Sequence, residues 1–83
     1  MAPLAQNIRV ATVFEPGGRI RPVWFEWNRQ RHLVKETTYR WSGRAGNATL
    51  LHFAVTDDAN LFELVYNTAE QSWSLCSADA TQR

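Results

Sequence analysis

"VWFEWNRQRHLVKE", residues 23–36, sets three aromatic side chains within five positions and then places Arg29, Arg31 and Lys35 around a polar turn. Apolar and polar residues alternate with a period of two on either side of that turn, the pattern of two half-buried strands joined as a hairpin. With Arg29-Gln30 as a two-residue loop, Trp27 faces His32, Phe25 faces Val34, Val23 faces Glu36 and Trp24 faces Lys35. Val23, Phe25, Trp27 and Val34 then form a core face. The opposite face carries Trp24, Leu33, Lys35, Tyr39 and Trp41, with Arg31 nearby.

That second face admits two readings. Aromatic rings interleaved with cations are what non-specific single-strand binders use, because bases stack on rings while cations follow the phosphates. A small coiled sheet also needs large residues to fill its ends, and a bulge in the third strand would turn Tyr39 and Trp41 inward. Trp24 alternates out of phase with the core residues of its strand. It is either covered by the stems of Lys35 and Arg21 or left as a binding ring.

Outward from this hairpin the same period recurs, and no window of eleven or more residues carries a helical one. Six strands are expected, at residues 8–14, 20–27, 32–41, 48–56, 61–66 and 72–76. "EPGG" at 15–18 is a turn in which Pro16 presets φ and a following glycine takes positive φ. "SGRAGN" at 42–47 reads as a six-residue loop, "DDAN" at 57–60 and "NTAEQ" at 67–71 as turns, and the last seven residues as frayed. Short connections make successive strands antiparallel neighbours. The expectation is a single all-β domain over residues 1–83, ordered from about 8 to 76. It is a six-stranded antiparallel meander, strongly twisted or closed into a small barrel by its first and last strands.

The chain has 83 residues, and a domain of that size buries only about 60% of its unfolded surface, so its ten aromatic residues compensate for a thin core. Cys76 is the sole cysteine, which excludes an internal disulfide and fits a reducing compartment. The opening residues "MAPLAQNIRV" show no export signal, and the longest apolar run, "LLHFAV" at 50–55, is far short of the roughly 20 residues that span a bilayer. A cytoplasmic protein without a membrane anchor is expected.

Charge is unevenly divided. Residues 19–44 hold Arg19, Arg21, Arg29, Arg31, Lys35, Arg40 and Arg44 against Glu26 and Glu36, whereas residues 45–83 hold Arg83 against five carboxylates. Such polarity attracts an anionic partner to one face or aligns two copies head to tail.

Catalytic and cofactor signatures are weak. "PGGR" lacks the strand-to-helix setting of a phosphate loop. His32, His52 and Cys76 do not have metal-ligand spacing, and Asp57-Asp58 reads as turn chemistry alone. "NAT" at 47–49 matches a glycosylation acceptor, but without an export signal it reads only as loop leading into a strand. Glu36, if it faces the core beside Val34, needs an arginine such as Arg40 or Arg9. No catalytic residue, cofactor or metal is expected.

Pro22, Val23, Phe25, Trp27, His32, Val34, Lys35, Glu36 and Trp41, followed by Phe53-x-Val55, Glu63-Leu64 and Trp73-x-Leu75, resemble a family of small uncharacterised bacterial all-β proteins. Their skeleton is P-x-x-F-x-W … V-x-E … W … W-x-L. The resemblance spans residues 20–76 and rests mainly on core-type positions. It implies a cytoplasmic bacterial protein without an assigned activity, in some genomes encoded near translesion-polymerase-like genes.

Two functions follow as expectations. One is a small non-enzymatic interaction module that works through a strand edge or the charge-polar surface, with a protein partner or as a homo-oligomer. The other is weak single-stranded nucleic-acid binding through Trp24, Arg29, Arg31, Lys35, Tyr39 and Trp41.

Overall fold

The computed structural model describes residues 6–80. Within them the chain forms β1 (Gln6–Phe14), β2 (Ile20–Trp27), β3 (Gln30–Leu33), β4 (Glu36–Ala45), β5 (Ala48–Thr56), β6 (Asn60–Asn67) and β7 (Ser72–Ala80). All pairings are antiparallel and make one sheet in the order β3-β2-β1-β7-β6-β5-β4. The expected all-β meander is present, but with seven strands rather than six.

The extra strand arises because the expected third strand, residues 32–41, changes partner midway. Val34 N–H donates to the Val23 carbonyl on β2 at 2.9 Å, whereas the next residue, Lys35, donates to the Thr56 carbonyl on β5 at 2.8 Å. The chain therefore passes from one edge of the sheet to the other within two residues, and the sheet must curl to allow it.

β1 and β7 pair through Gln6↔Leu75, Asn7↔Ser74 and Ile8↔Trp73, so the first and last strands do meet. The opening falls instead between β3 and β4. Arg40 on β4 reaches across it, donating from Nη2 to the Ile20 carbonyl at the start of β2 at 2.9 Å. Pro22 lies along that edge of β2, where its missing N–H costs no ladder bond.

Turn chemistry sets the registers. Asn28 and Arg29 both have positive φ, 59° and 64°, as a two-residue type I′ hairpin requires. The turn is thus one residue earlier than the Arg29-Gln30 loop expected from sequence, and every pairing shifts by two. Phe25 faces His32, Trp24 faces Leu33, and Trp27 faces Gln30. A shift of two preserves faces, so Phe25, Trp27 and Val34 keep their core side, but Val23 does not join the core: it is the extra residue of a bulge between the pairs Ala11↔Trp24 and Thr12↔Pro22, which brings Pro22 to the buried side in its place.

At the other hairpin, β4 runs on to Ala45, and a two-residue turn at Gly46-Asn47 replaces the expected six-residue loop. Gly46 takes φ +61° there. Gly18 N–H closes on the Glu15 carbonyl at 3.1 Å, which with Pro16 and Gly17 (φ +94°) makes the turn expected of "EPGG" a type II turn. β7 continues to Ala80, past the expected end at 76, because residues 78–80 pair with residues 60–62 of β6. Residues 81–83 of the expected frayed tail lie outside the described residues.

The concave face holds the core: Ile20, Phe25, Phe53, Val55, Phe62, Leu64, Trp73 and Leu75, with Val10, Trp27, Val34 and Tyr66 packed around it. Phe25 stands edge-on to Phe62 at 4.9 Å between centroids, and Phe53 packs on Trp73 at 5.4 Å. Trp73 Nε1–H donates to Thr12 Oγ1 at 2.9 Å, so its polar end is satisfied inside the curl.

Candidate functional site

The structure distributes the six candidate residues over two places rather than one. On β2 and β3, the Arg31 guanidinium lies 3.8 Å from the Trp24 ring centroid. Trp24 is therefore half-buried beneath a cation, and the covering residue is Arg31 rather than Lys35 or Arg21. Arg31 also pairs with Glu26 at 3.5 Å, and Arg9 approaches the same carboxylate at 3.8 Å. Arg29 sits at the exposed tip of the turn. Lys35 pairs with Asp58 at 3.6 Å. Exposed pairs of this kind contribute about 0–1 kcal/mol, yet each one places a carboxylate where a phosphate would have to sit.

On β4, Tyr39 and Trp41 remain on the outer face. The strand does contain a bulge, at Thr38 between the pairs Thr37↔Val55 and Tyr39↔Ala54, but the inward turn of the rings that one of the two sequence readings attached to a bulge does not occur. Tyr39 is 66% and Trp41 38% exposed. Their rings stack at 5.3 Å, and Trp41 stacks nearly flat on His52 of β5 at 4.9 Å with an interplanar angle of 11°. His52 Nδ1 lies 3.1 Å from Glu63 Oε2 on β6, so a row of three rings ends on a carboxylate. The rings of this row have a carboxylate, not a cation, at their inner end.

His52 and Glu63 were not among the sequence-derived candidates. Reading Gly46-Asn47 as a two-residue turn would have found His52, because that turn alone sets Trp41 opposite it. Glu36 also departs from expectation. It pairs with Thr56, is exposed and needs no buried arginine.

Arg40 and Arg44 lie on the other side of β4, the side of Phe53. The Arg40 guanidinium stands 4.9 Å from the Phe53 ring centroid. Burial, and then the nearby charge of Arg19, push Arg40 below its ordinary value. Arg40, Trp41, Ser42, Leu51, His52 and Phe53 line a shallow cleft of about 200 Å³. No carboxylate lines it.

The edge of β4 has a defined polarity. Thr49 turns its carbonyl toward the β6 end, where it accepts from Thr68 N–H at 3.1 Å and Thr68 Oγ1 at 2.8 Å. Its partner on β4 is Arg44, which therefore faces away from β5. The register is regular from Tyr39 to Ala45, so Arg40, Ser42 and Arg44 all turn their backbone N–H and C=O to the side without a strand. β5 is the only ladder partner of β4 among the described residues.

His32 Nδ1 lies 3.2 Å from Asp57 Oδ2, while its ring packs against Phe25, Trp27 and Phe62 and its Nε2 is buried without a hydrogen-bond partner. Asp57, expected to be turn chemistry alone, also clasps β3. Cys76 occupies the bulge where β7 shifts register against Glu63 and Leu64. Burial, and then the charge of Glu63, push its thiol up. Among the described residues no group of three or more His, Cys, Asp and Glu side chains converges as a metal site would, and no helix is long and apolar enough to cross a membrane. No protein-family model, curated protein or solved structure matches this chain.

Proposed function

We propose that this protein is a non-enzymatic interaction module that binds an extended protein segment, from a partner or a second copy, along the free edge of β4. The observation that carries this reading is the run of outward-facing backbone groups at Arg40, Ser42 and Arg44 beside two exposed rings, Tyr39 and Trp41.

Proteins ordinarily blunt a free edge by shortening it, charging it or bulging it. The other edge follows that rule: β3 is four residues long, its turn carries Arg29 and the strand itself carries Arg31. β4 also carries two arginines, Arg40 and Arg44, and a bulge, but it has ten residues and the bulge sits near its start, leaving the stretch from Tyr39 to Ala45 regular and, among the described residues, unpaired on that side. Strand addition satisfies those unpaired groups and covers the rings, with main-chain bonds supplying affinity and side-chain pockets supplying specificity.

The single-strand nucleic-acid reading has less support. Trp24 is covered by Arg31, and Arg31 and Lys35 already meet carboxylates. Tyr39 and Trp41 are exposed, but Arg40 and Arg44 lie on the opposite side of their strand, so stacking and phosphate tracking do not coincide.

The test uses the full chain, a panel of extended decapeptides and sedimentation over a concentration series. Ser42→Pro deletes one outward N–H without removing a bond to β5, so it should fold, as judged by circular dichroism, and lose association. A chain that stays monomeric and binds no peptide overturns the reading, as does Ser42→Pro binding as tightly as the parent.

A further inference from the structure

We infer that the segment added to β4 is acidic, with carboxylates four positions apart set against Arg40 and Arg44; this rests on the edge-pairing reading above. Three observations select that chemistry. The first is charge. Arg9 and Arg31 meet Glu26, Arg21 meets Glu15 and Lys35 meets Asp58, whereas among the described residues Arg19, Arg29, Arg40 and Arg44 have no carboxylate partner, and of these four only Arg40 and Arg44 lie on β4.

The second is the place of these guanidiniums. Arg40 and Arg44 project on the same side of β4 as Ser42, beside a cleft of about 200 Å³ that is free of carboxylates. Arg40 commits Nη2 to the Ile20 carbonyl, and a guanidinium has further N–H donors in a fixed fork that suits a carboxylate.

The third is strand geometry. Residues two apart on a strand share a face, so a segment laid along β4 places its first, third and fifth residues opposite Arg40, Ser42 and Arg44. Its second and fourth residues fall opposite Trp41 and Gly43 on the outer face. Gly43 leaves room there, since the nearest atom to a β-carbon at that position is His52 Nε2 at 3.6 Å. The pattern wanted is acidic, apolar, small or polar, apolar, acidic.

The same geometry disfavours two other occupants. A second β4 would bring guanidiniums against guanidiniums, and like charges set directly opposite are destabilising. A nucleic acid has no alternating amide and carbonyl groups to complete the edge.

The probe is a capped decapeptide centred on Glu-Val-Thr-Val-Glu, compared with its Gln and Lys counterparts and with a backbone N-methylated Glu peptide. Binding to the full chain is followed by amide shifts of β4. The Glu peptide should bind, the Gln peptide about tenfold or more weakly, and the Lys peptide not at all. Added salt should weaken the Glu complex, and the exposed-residue variant Arg44→Gln should weaken it about two- to fivefold.

Equal binding of Glu and Gln peptides, with N-methylation still abolishing both, overturns the acidic partner while edge pairing stands. Glu binding that survives N-methylation overturns edge pairing itself, and the acidic segment as a strand with it. Absence of peptide binding, an oligothymidylate that binds more tightly than the Glu peptide, or dimerisation through β4 also overturns the inference.

Discussion

His32 of β3 places Nδ1 3.2 Å from Asp57 Oδ2, joining one arm of the sheet to the β5–β6 turn of the other, twenty-five positions along the chain. Both side chains are largely buried, at 12% and 15% exposure. The contact holds the curl closed at the end where Val34 and Lys35 cross between edges.

Asp57 makes stability depend on acid. Burial raises its carboxyl, but hydrogen bonds from the amides of Asn60 and Ala59 and from His32 outweigh burial and hold it below the usual range. A carboxyl lowered in the folded state contributes stability above its unfolded value, about pH 4, and loses it as pH falls through the folded value. Asp57→Ala should cost about 1–3 kcal/mol at neutral pH and flatten the acid limb of the unfolding curve. Urea titrations between pH 2 and 7 measure both effects, and an acid limb unchanged in the variant would refute the assignment.

Arg29 holds φ 64° without being glycine. A left-handed residue with a β-carbon costs about 1–2 kcal/mol, and Asn28 followed by glycine is the preferred type I′ pair. Arg29→Gly should therefore raise stability by about 0.5–1 kcal/mol, with the greater unfolded-state entropy of glycine taking back part of the gain. Denaturant midpoints decide it, and a destabilised variant would contradict the turn assignment.

Phe25 is fully buried, stacks on His32 at 5.1 Å and meets Phe62 edge-on at 4.9 Å. Truncating a buried Phe to Ala costs about 3–5 kcal/mol, a large share of the 5–15 kcal/mol available to an ordinary domain. Phe25→Ala should be largely unfolded at 37 °C by near-ultraviolet circular dichroism. Trp41→Ala, on the exposed outer face, should change stability by less than about 1 kcal/mol.

The Cys76 thiol, raised by burial and by Glu63, holds less thiolate than a free cysteine at pH 8, and the thiolate is the reacting form. Its reaction with a disulfide reagent should run slower than that of a model thiol and accelerate on unfolding. Reaction as fast as the model thiol would place Cys76 outside the β7 bulge.

How much of this was legible varies with the range of the contact. The strands around Phe25, Phe53, Leu64 and Trp73 were readable because alternation along a strand is a local property with a period of two. The Asn28-Arg29 turn was misplaced by one residue because only half of its usual signal is present: Asn28 suits positive φ, but arginine stands at the second position, where glycine ordinarily follows. Trp24 was correctly singled out as the ring out of phase, while its cover by Arg31 depended on the register that the turn sets. The row Tyr39, Trp41, His52 and Glu63 needed two registers in succession, and the partner change at Val34-Lys35 has no local signal at all.

By itself, then, the order of residues determined an antiparallel sheet with its rings mainly on one face, since side-chain direction and turn propensity act over a few positions. Only the tertiary structure decided where the curl opens and which edge stays unpaired. Those outcomes depend on hydrogen bonds and charges that meet across long separations, such as Arg40 with the Ile20 carbonyl and His32 with Asp57, and whose geometry exists only once the sheet has curled.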